Sequence, residues 1–571
     1  MIAVASGAGP GARATSRGAA ALGALCGLVS AGVALGFAQL AAAFIRQEAA
    51  PVVAVGSVMV NSTPRWLKEW AIREFGTNDK TALLTGVLIV LAVLAAVAGA
   101  FAVRRPAIGF AMVALLGVLG AAAAVTRAGA GSADWLPSLL GAVAGALTLA
   151  ALLRPLLGGR DGHGGTEGVA VPSWASTAHG QPGASRTAAT PGTGRATNAG
   201  TGRATTAGTG QASGASGPDR RGVLVTAAWA VVIGGGAGWI GKMIGTRRSV
   251  AASRAAVRLP APSSPARPLA AGTDLRLSGL SPFRTPNGSF YRIDISLVTP
   301  QVSAEGWSLK VHGMVERELT LTYKELLRRE LIERDVTLAC VSNEVGGNLI
   351  SSARWLGAPL AELLREAGVR PGADQIISRG HDGITIGTPT QVVMDGRDAM
   401  LAVGMNGEPL PQAHGFPVRM VVPGLYGYVS ATKWLSDIEL GRFGDYDAYW
   451  VQRGWAQQAE IKTESRIDTP RNFAQVRAGK VPVAGIAWAQ HRGIAKVEVR
   501  VDDGPWQQAR LAPAPTIDTW RQWVLMWDAA KGEHRLAVRA TDRDGNTQTE
   551  QKAPPFPSGA TGWYSTSVRV V

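Results

Sequence analysis

Five apolar runs, each long enough to cross a bilayer, dominate the first 245 residues and limit what this chain can fold into: Ala19–Phe44, Thr81–Val103, Ile108–Val125, Leu136–Leu153 and Val223–Ile240. A helix of about 20 apolar residues spans the hydrocarbon core. The third and fourth runs are shorter and rich in Ala and Gly. Core helices of a water-soluble domain would carry polar stripes at helical spacing, and these runs carry none. The expectation is an all-α membrane region with four spans in residues 1–157 and a fifth helix in 220–245. Everything else must be arranged around it.

Basic residues give the orientation. Arg13 and Arg17, Arg104 and Arg105, and Arg154 and Arg160 fall on one side if the N-terminus is cytoplasmic. Five crossings then place the rest of the chain outside, a multi-pass arrangement with an extracytoplasmic second half; Lys242, Arg247 and Arg248 count against it. None of the seven histidines lies in a run, and no CxxCH occurs, so no haem is expected. The runs also lack acids, which points to an anchor in the lipid bilayer and away from a transporter. Residues 158–219 are Gly, Ala, Thr and Ser with few apolar side chains, and read as a disordered linker. Arg220-Arg221 resembles an internal twin-arginine export signal, although a positive-inside pair accounts for it more simply. The net charge is +16, but the basic residues form no stripe interleaved with aromatics, so no nucleic-acid partner is expected.

The second half divides by pattern. Residues 246–279 read as a Pro/Ala tether. Residues 280–455 mix helices (Glu318–Val336, with Leu326, Leu327 and Leu331 on one face, and Leu360–Ala367) with short strands (Ser308–Val311, Gln375–Ser378, Arg419–Val422), an α+β pattern. From about Ile467 the segments are all strand, and residues 456–571 read as an immunoglobulin-like sandwich. Cys340, one of two cysteines, ends an apolar strand-like run and precedes the polar loop Ser342–Asn348. A thiol there is placed to meet a ligand, and a thiolate is a soft donor for a transition metal. The plainer reading is a buried free cysteine.

Several separated motifs in 280–571 agree in order with one family. TLACVSN with Trp355-Leu356-Gly357, His414-Gly-Phe-Pro-Val-Arg419 followed by VVPG and Lys433-Trp434-Leu435, PNGSFYRID, and GHDG together resemble the sulfite oxidase family of molybdenum enzymes. The resemblance implies a molybdenum-molybdopterin cofactor with Cys340 as metal ligand. It implies pterin and phosphate contacts from His414, Arg419, Ser430, Thr432 and Lys433, with one extra residue in this loop, and from Phe290, Tyr291, Arg292 and Asp382. Arg292 would also face the substrate, as a catalytic residue beside Cys340. The chemistry is coherent without the name, since a phosphate needs Arg, Lys and backbone N–H donors. Trp455 stands where the family's active-site tyrosine is expected, which puts sulfite itself in doubt.

The resulting expectation is a membrane-anchored oxidoreductase transferring an oxygen atom to or from a small oxo-anion or sulfoxide-type substrate. It would use a separate electron carrier, either a cytochrome or a quinone-linked route. The resemblance adds a homodimer formed through the sandwich. The alternatives are a reductase of a sulfoxide or similar group on the same cofactor, and a metal-free membrane-tethered binding or structural module.

Overall fold

A computed structural model describes residues 10–64, 67, 74, 79–127, 130–157, 220–247 and 250–571. The expected linker 158–219 lies outside the described residues. The N-terminal part is helical: α1 (Pro10–Ile45), α2 (Pro51–Ser62), α3 (Asp79–Ala102), α4 (Pro106–Thr126), α5 (Leu136–Leu157) and α6 (Arg220–Arg247). Four segments, Gly18–Ile45, Thr81–Ala102, Pro106–Thr126 and Leu136–Arg154, are long and apolar enough to cross a membrane. They coincide with the first four apolar runs. The fifth differs, because the apolar part of α6, Val225–Gly241, is shorter than those four. Helix α2 was not anticipated, being only 12 residues long.

Glycine makes the helix contacts close. A Cβ at Gly27 would collide with the Ala95 carbonyl, and one at Gly36 with the Gly234 carbonyl, so only glycine permits these backbone approaches. The contact pairs also give direction. Gly36 meets Gly234 while Leu40 meets Gly241, so α1 and α6 run parallel. Gly23 meets Gly99 and Val103 while Gly27 meets Ala95, so α1 and α3 are antiparallel. The segment after α6 therefore leaves the bundle at the end where α1 finishes. Large apolar side chains face outward, including Ile89 (59% exposed), Leu147 (67%) and Trp229 (64%). Such a surface is costly in water and at ease in lipid.

The expected tether is instead bound to the next unit. Helix α7 (Val250–Ala256) buries Val250, and Arg254 donates to the carbonyls of Pro409 and Leu410. Ser263 and Ser264 follow the edge of the next unit, with Ser264 bridging Ile332, and the Leu275 N–H reaches Gln522 Oε1 at 2.7 Å. Proline and alanine need not mean a free chain when each backbone donor finds a neighbour.

The following unit is β-rich. One sheet runs β2 (Leu319–Thr322), β1 (Ser308–Gly313), β10 (Leu435–Gly441), β5 (Gln375–Gly380), β6 (Thr385–Pro389). The other runs β3 (Ile332–Ala339), β4 (Ile350–Pro359), β7 (Met400–Met405), β8 (Glu408–Pro409), with β9 (Arg419–Val421) also on β7. Among the described residues its α-helices are only α8 (Tyr323–Leu326), α9 (Leu360–Ala367) and α10 (Thr390–Met394), so the expected α+β mixture gives way to a β-rich unit. The helix expected within 318–336, with Leu326, Leu327 and Leu331 on one face, is reduced to the four residues of α8. Thr322 and Glu325 form a capping box that starts a single turn, and from Ile332 the chain pairs with β4 in register Ile332↔Gly357 to Ala339↔Ile350. Leu326 and Leu331 are both buried, one in the single turn of α8 and the other just before β3, not along one helix face. Long-range pairing overrode local spacing.

Strands β11 (Glu464–Thr469), β13 (Gly479–Trp488), β17 (Arg521–Ala529) and β16 (Arg510–Leu511) form one C-terminal sheet. Strands β12 (Ala474–Val476), β19 (Tyr564–Val570), β18 (Gly532–Asp542), β14 (Ile494–Val501) and β15 (Gln507–Gln508) form the other. Val483 and Trp523 of the first share one apolar core with Val497, Leu536 and Val568 of the second. Trp488 and Trp520 instead belong to the core of the preceding unit, where the Trp520 N–H donates to Thr337 Oγ1 (2.8 Å) and its indole to the Phe283 carbonyl (2.9 Å). The C-terminal sheets are thereby joined to the back of β3, the strand that delivers Cys340.

Candidate active site

Cys340 follows β3 directly. Its N–H donates to the Leu349 carbonyl (2.9 Å) and its carbonyl accepts from Asn343 N–H (3.0 Å), which turns the loop back on itself. Asn343 Oδ1 accepts from Leu349 N–H (2.8 Å) and fixes that turn. The thiol is free and half-buried; burial pushes its pKa up, against hydrogen bonds from Ser342.

Phe290 and Tyr291 reach this place from a neighbouring segment. The Tyr291 N–H donates to Ser351 Oγ (3.1 Å), and the Phe290 ring meets His414 edge-on at 5.4 Å and Trp355 at 5.7 Å. Burial raises the Tyr291 phenol strongly; negative charge on Cys340 would raise it further, while Arg419 lowers it. Tyr291 thus lies within electrostatic reach of both the thiol and the guanidinium.

Arg419 is 5% exposed. Its Nη1 donates to the His414 carbonyl (3.2 Å), its plane lies 5.0 Å from the Trp355 ring, and its Nε has no hydrogen-bond partner. Burial lowers its pKa to about 10. His414 Nε2 lies 2.9 Å from the Asn287 carbonyl. Burial lowers the imidazole pKa to about 4; the Asn287 bond opposes this, while Arg419 and Arg292 reinforce it. Gly415, at φ 108°, allows this turn to lie against Lys433: a Cβ there would fall 3.0 Å from Arg419 Cβ and 3.1 Å from Lys433 Cβ.

Lys433 Nζ pairs with Asp294 and donates to the Ile293 carbonyl (3.1 Å). Arg292 Nε pairs with the same Asp294 carboxylate, and its Nη2 donates to Thr299 Oγ1 (2.7 Å). The Asp382 hairpin lies alongside, since the His381 N–H donates to the Trp434 carbonyl (2.9 Å); Asp382 Oδ1 accepts from Ile384 N–H (3.3 Å) and holds the turn.

The sequence-derived residues therefore converge, with two qualifications of role. Ser430 Oγ is taken up by the Leu425 and Tyr426 carbonyls (3.2 and 3.0 Å), and Thr432 Oγ1 by Ser378 Oγ (2.6 Å). Both side chains are fully buried, which leaves their backbone as what they can offer a ligand. Trp455 packs against Tyr428, Trp450 and Phe556 at 5.9, 6.4 and 5.4 Å. Sequence reasoning missed Asp294, although it lies within the quoted PNGSFYRID, and the Trp355 platform beneath Arg419. It also missed Glu464, a carboxyl of β11 that burial pushes up to about 8, against Lys462 and an Asn343 hydrogen bond.

A buried guanidinium with a free donor, beside a half-buried thiol, fits a group that brings both a phosphate and a metal. Comparison with known proteins agrees. Residues 296–450 match the family described as oxidoreductase molybdopterin binding domain, a span that holds Cys340, Asp382, His414, Arg419 and Ser430 to Lys433. Chicken sulfite oxidase (Gallus gallus) is 30% identical over 322 residues, covering 48% of this chain and 69% of that protein. The chain belongs to the sulfite oxidase family. Its residues 296–450 are those of an oxidoreductase molybdopterin binding domain. Mouse mitochondrial sulfite oxidase (Mus musculus) is 30% identical over 339 residues, covering 50% of this chain and 62% of the relative, so the chain spans about six tenths of that relative's length. Among solved structures, the sulfane dehydrogenase SoxCD of Paracoccus pantotrophus is similar at a TM-score of 0.45 and 26% identity, covering 50% of this chain and 81% of that one.

Proposed function

We propose that this protein is a membrane-anchored oxygen-atom-transfer enzyme whose metal is held through Cys340. The observation that carries this reading is the meeting of Cys340, Tyr291, His414 and Arg419, with the Arg419 Nε unpartnered in the interior. A buried charge without a carboxylate is retained where a ligand compensates it.

When bound, the molybdenum-pterin group supplies two-electron redox chemistry coupled to oxygen transfer. The chain supplies the rest. Arg419 and the backbone of Ser430 to Lys433 would hold phosphate and pterin, with His414, Asp382, Phe290 and Tyr291 enclosing the pterin. Arg292 is the half-exposed cation that would draw in a small oxo-anion or sulfoxide-type substrate. Its partner Asp294 tempers that charge and, with Trp455 in place of a tyrosine, supports sulfoxide reduction as a second reading. Electrons would pass to or from a separate carrier.

The catalytic unit (280–455) would lie on the extracytoplasmic side of the membrane, beyond five crossings, with residues 456–571 as an immunoglobulin-like dimerisation module. The exit of α6 beside the end of α1 supports this topology. The function is tested by purifying the full chain from a host that makes the pterin. Sulfite oxidation and methyl-sulfoxide reduction are then followed with an artificial redox dye. Turnover of either assigns the direction, and turnover of neither by metal-loaded protein would contradict oxygen transfer.

A further inference from the structure

A cavity of about 110 Å³ lies inside the helix bundle. Its walls come from α1 (Ala34), α2 (Pro51), α3 (Ala95), α4 (Leu116) and α5 (Gly141), and are nearly all apolar. One polar group in it is unused. Ser138, on the first turns of α5, is 4% exposed, lines the cavity, and its hydroxyl has no hydrogen-bond partner. Serines in apolar helices ordinarily bond the carbonyl four residues back, as Ser30 does here to Cys26 at 2.8 Å. Ser138 is the third residue of α5, so no carbonyl of its own helix lies four residues back to take its hydroxyl, and an unmet hydroxyl in such surroundings costs about 1–3 kcal/mol. The donor is free for something that enters the cavity.

The position narrows the occupant. Ser138 is one turn from Asp134, which is held by Arg46 and by Arg127 (2.6 Å) where α1 and α4 end. This is the end of the bundle that meets the catalytic unit, since Leu297, from the loop between Arg292 and Pro300, reaches Gly56 of α2. The occupant must be largely apolar, carry a hydrogen-bond acceptor near the polar rim, and reach the site from the lipid. The hydrocarbon part of an acyl chain has no acceptor, and a lipid that reached Ser138 through its ester carbonyl is the competing occupant that the test below separates. A single water needs about 10–15 Å³ of such volume and would leave most of the cavity empty.

We propose that this cavity binds the ring of an isoprenoid quinone, with Ser138 donating to one ring carbonyl. The proposal rests on the membrane reading above and gives the oxidoreductase its electron partner. For net oxidation of a substrate X the sum is X + H2O + quinone → XO + quinol. The oxygen comes from water, and two electrons and two protons end on the quinone oxygens; for reduction of XO the sum runs backwards.

The test uses the full chain in lipid nanodiscs with an azido-ubiquinone photoprobe, mapping labelled peptides by mass spectrometry. Labelling is read whatever the molybdenum content, so failure of this site and failure of the proposed chemistry are separable. The expected result is label confined to the cavity-lining peptides of α1 to α5, displaced by excess decyl-ubiquinone. Ser138→Ala should weaken apparent affinity about fivefold, the loss of one hydrogen bond. Leu116→Trp, which fills the cavity, should abolish labelling while the monodisperse elution profile is kept. Label spread over outward positions such as Leu115 and Leu147, or equal labelling of wild type and Ser138→Ala, would overturn the proposal and leave lipid or water as the occupant.

Discussion

Lys433 forms an ion pair with Asp294, whose carboxylate is fully buried and is shared with Arg292. The two cations nearest the proposed substrate entrance are thus partly neutralised from within. Replacing Asp294 by Asn frees both. We expect KM for an anionic substrate such as sulfite to fall at least fivefold at low salt, with a smaller change in kcat and little effect on a neutral sulfoxide. Steady-state kinetics at two ionic strengths check this, since exposed charge is screened within about 8 Å at physiological salt.

Arg419→Met should separate cofactor retention from folding. The guanidinium is buried against Trp355 without a carboxylate, so the cofactor-free protein carries an uncompensated charge. The variant's cofactor-free melting temperature should stay level or rise. Pterin and molybdenum retained through purification should drop at least tenfold. Arg419→Lys should not rescue fully, because a point charge cannot reproduce the planar fork.

His414 predicts a pH dependence of the cofactor-free protein. The imidazole titrates near 6.5 when unfolded and at about 4 when folded, chiefly because of burial. Between those values the unfolded chain binds a proton that the folded chain does not. Stability is therefore lost as pH falls from 6.5 toward 4, by about 3 kcal/mol, and is unaffected by this group above 6.5. His414→Gln should flatten that part of a urea-denaturation series between pH 7 and 4.

Glu464 acts in the opposite sense. Its carboxyl is raised to about 8 when folded, first by burial, against an ordinary value of 4.5. The folded state holds a proton that the unfolded state releases between those values, so stability is fully present below 4.5 and falls as pH rises toward 8. At pH 7 the penalty is about 3 kcal/mol. Glu464→Gln should raise the melting temperature at pH 7–8 and leave it nearly unchanged at pH 4.5, as differential scanning calorimetry can measure.

How much of this was legible depends on the length scale of each signal. The first four apolar runs match the four membrane-length segments within a few residues because a helix closes its hydrogen bonds locally. Leu360–Ala367 came out with its expected bounds for the same reason, ending at Gly368 with φ 70°. The strand-like run ending at Cys340 was legible, but the strand's start at Ile332 was taken into a helical segment because its partner lies beyond the Cys340 loop, in β4. In the site, motif residues such as Cys340, His414 and Arg419 could be named. Their neighbours could not, since Asp294 owes its place to Lys433, far along the chain. The docking of residues 250–279 depends on carbonyls and side chains of other segments, which no local pattern encodes.

The most direct test is molybdenum per chain, by elemental analysis of full-length protein from a pterin-making host, beside Cys340→Ser. The account predicts about one metal per wild-type chain, and in the variant loss of turnover with one fewer sulfur ligand by X-ray absorption. Folded wild-type protein without molybdenum, or an unchanged sulfur shell in the variant, would contradict it.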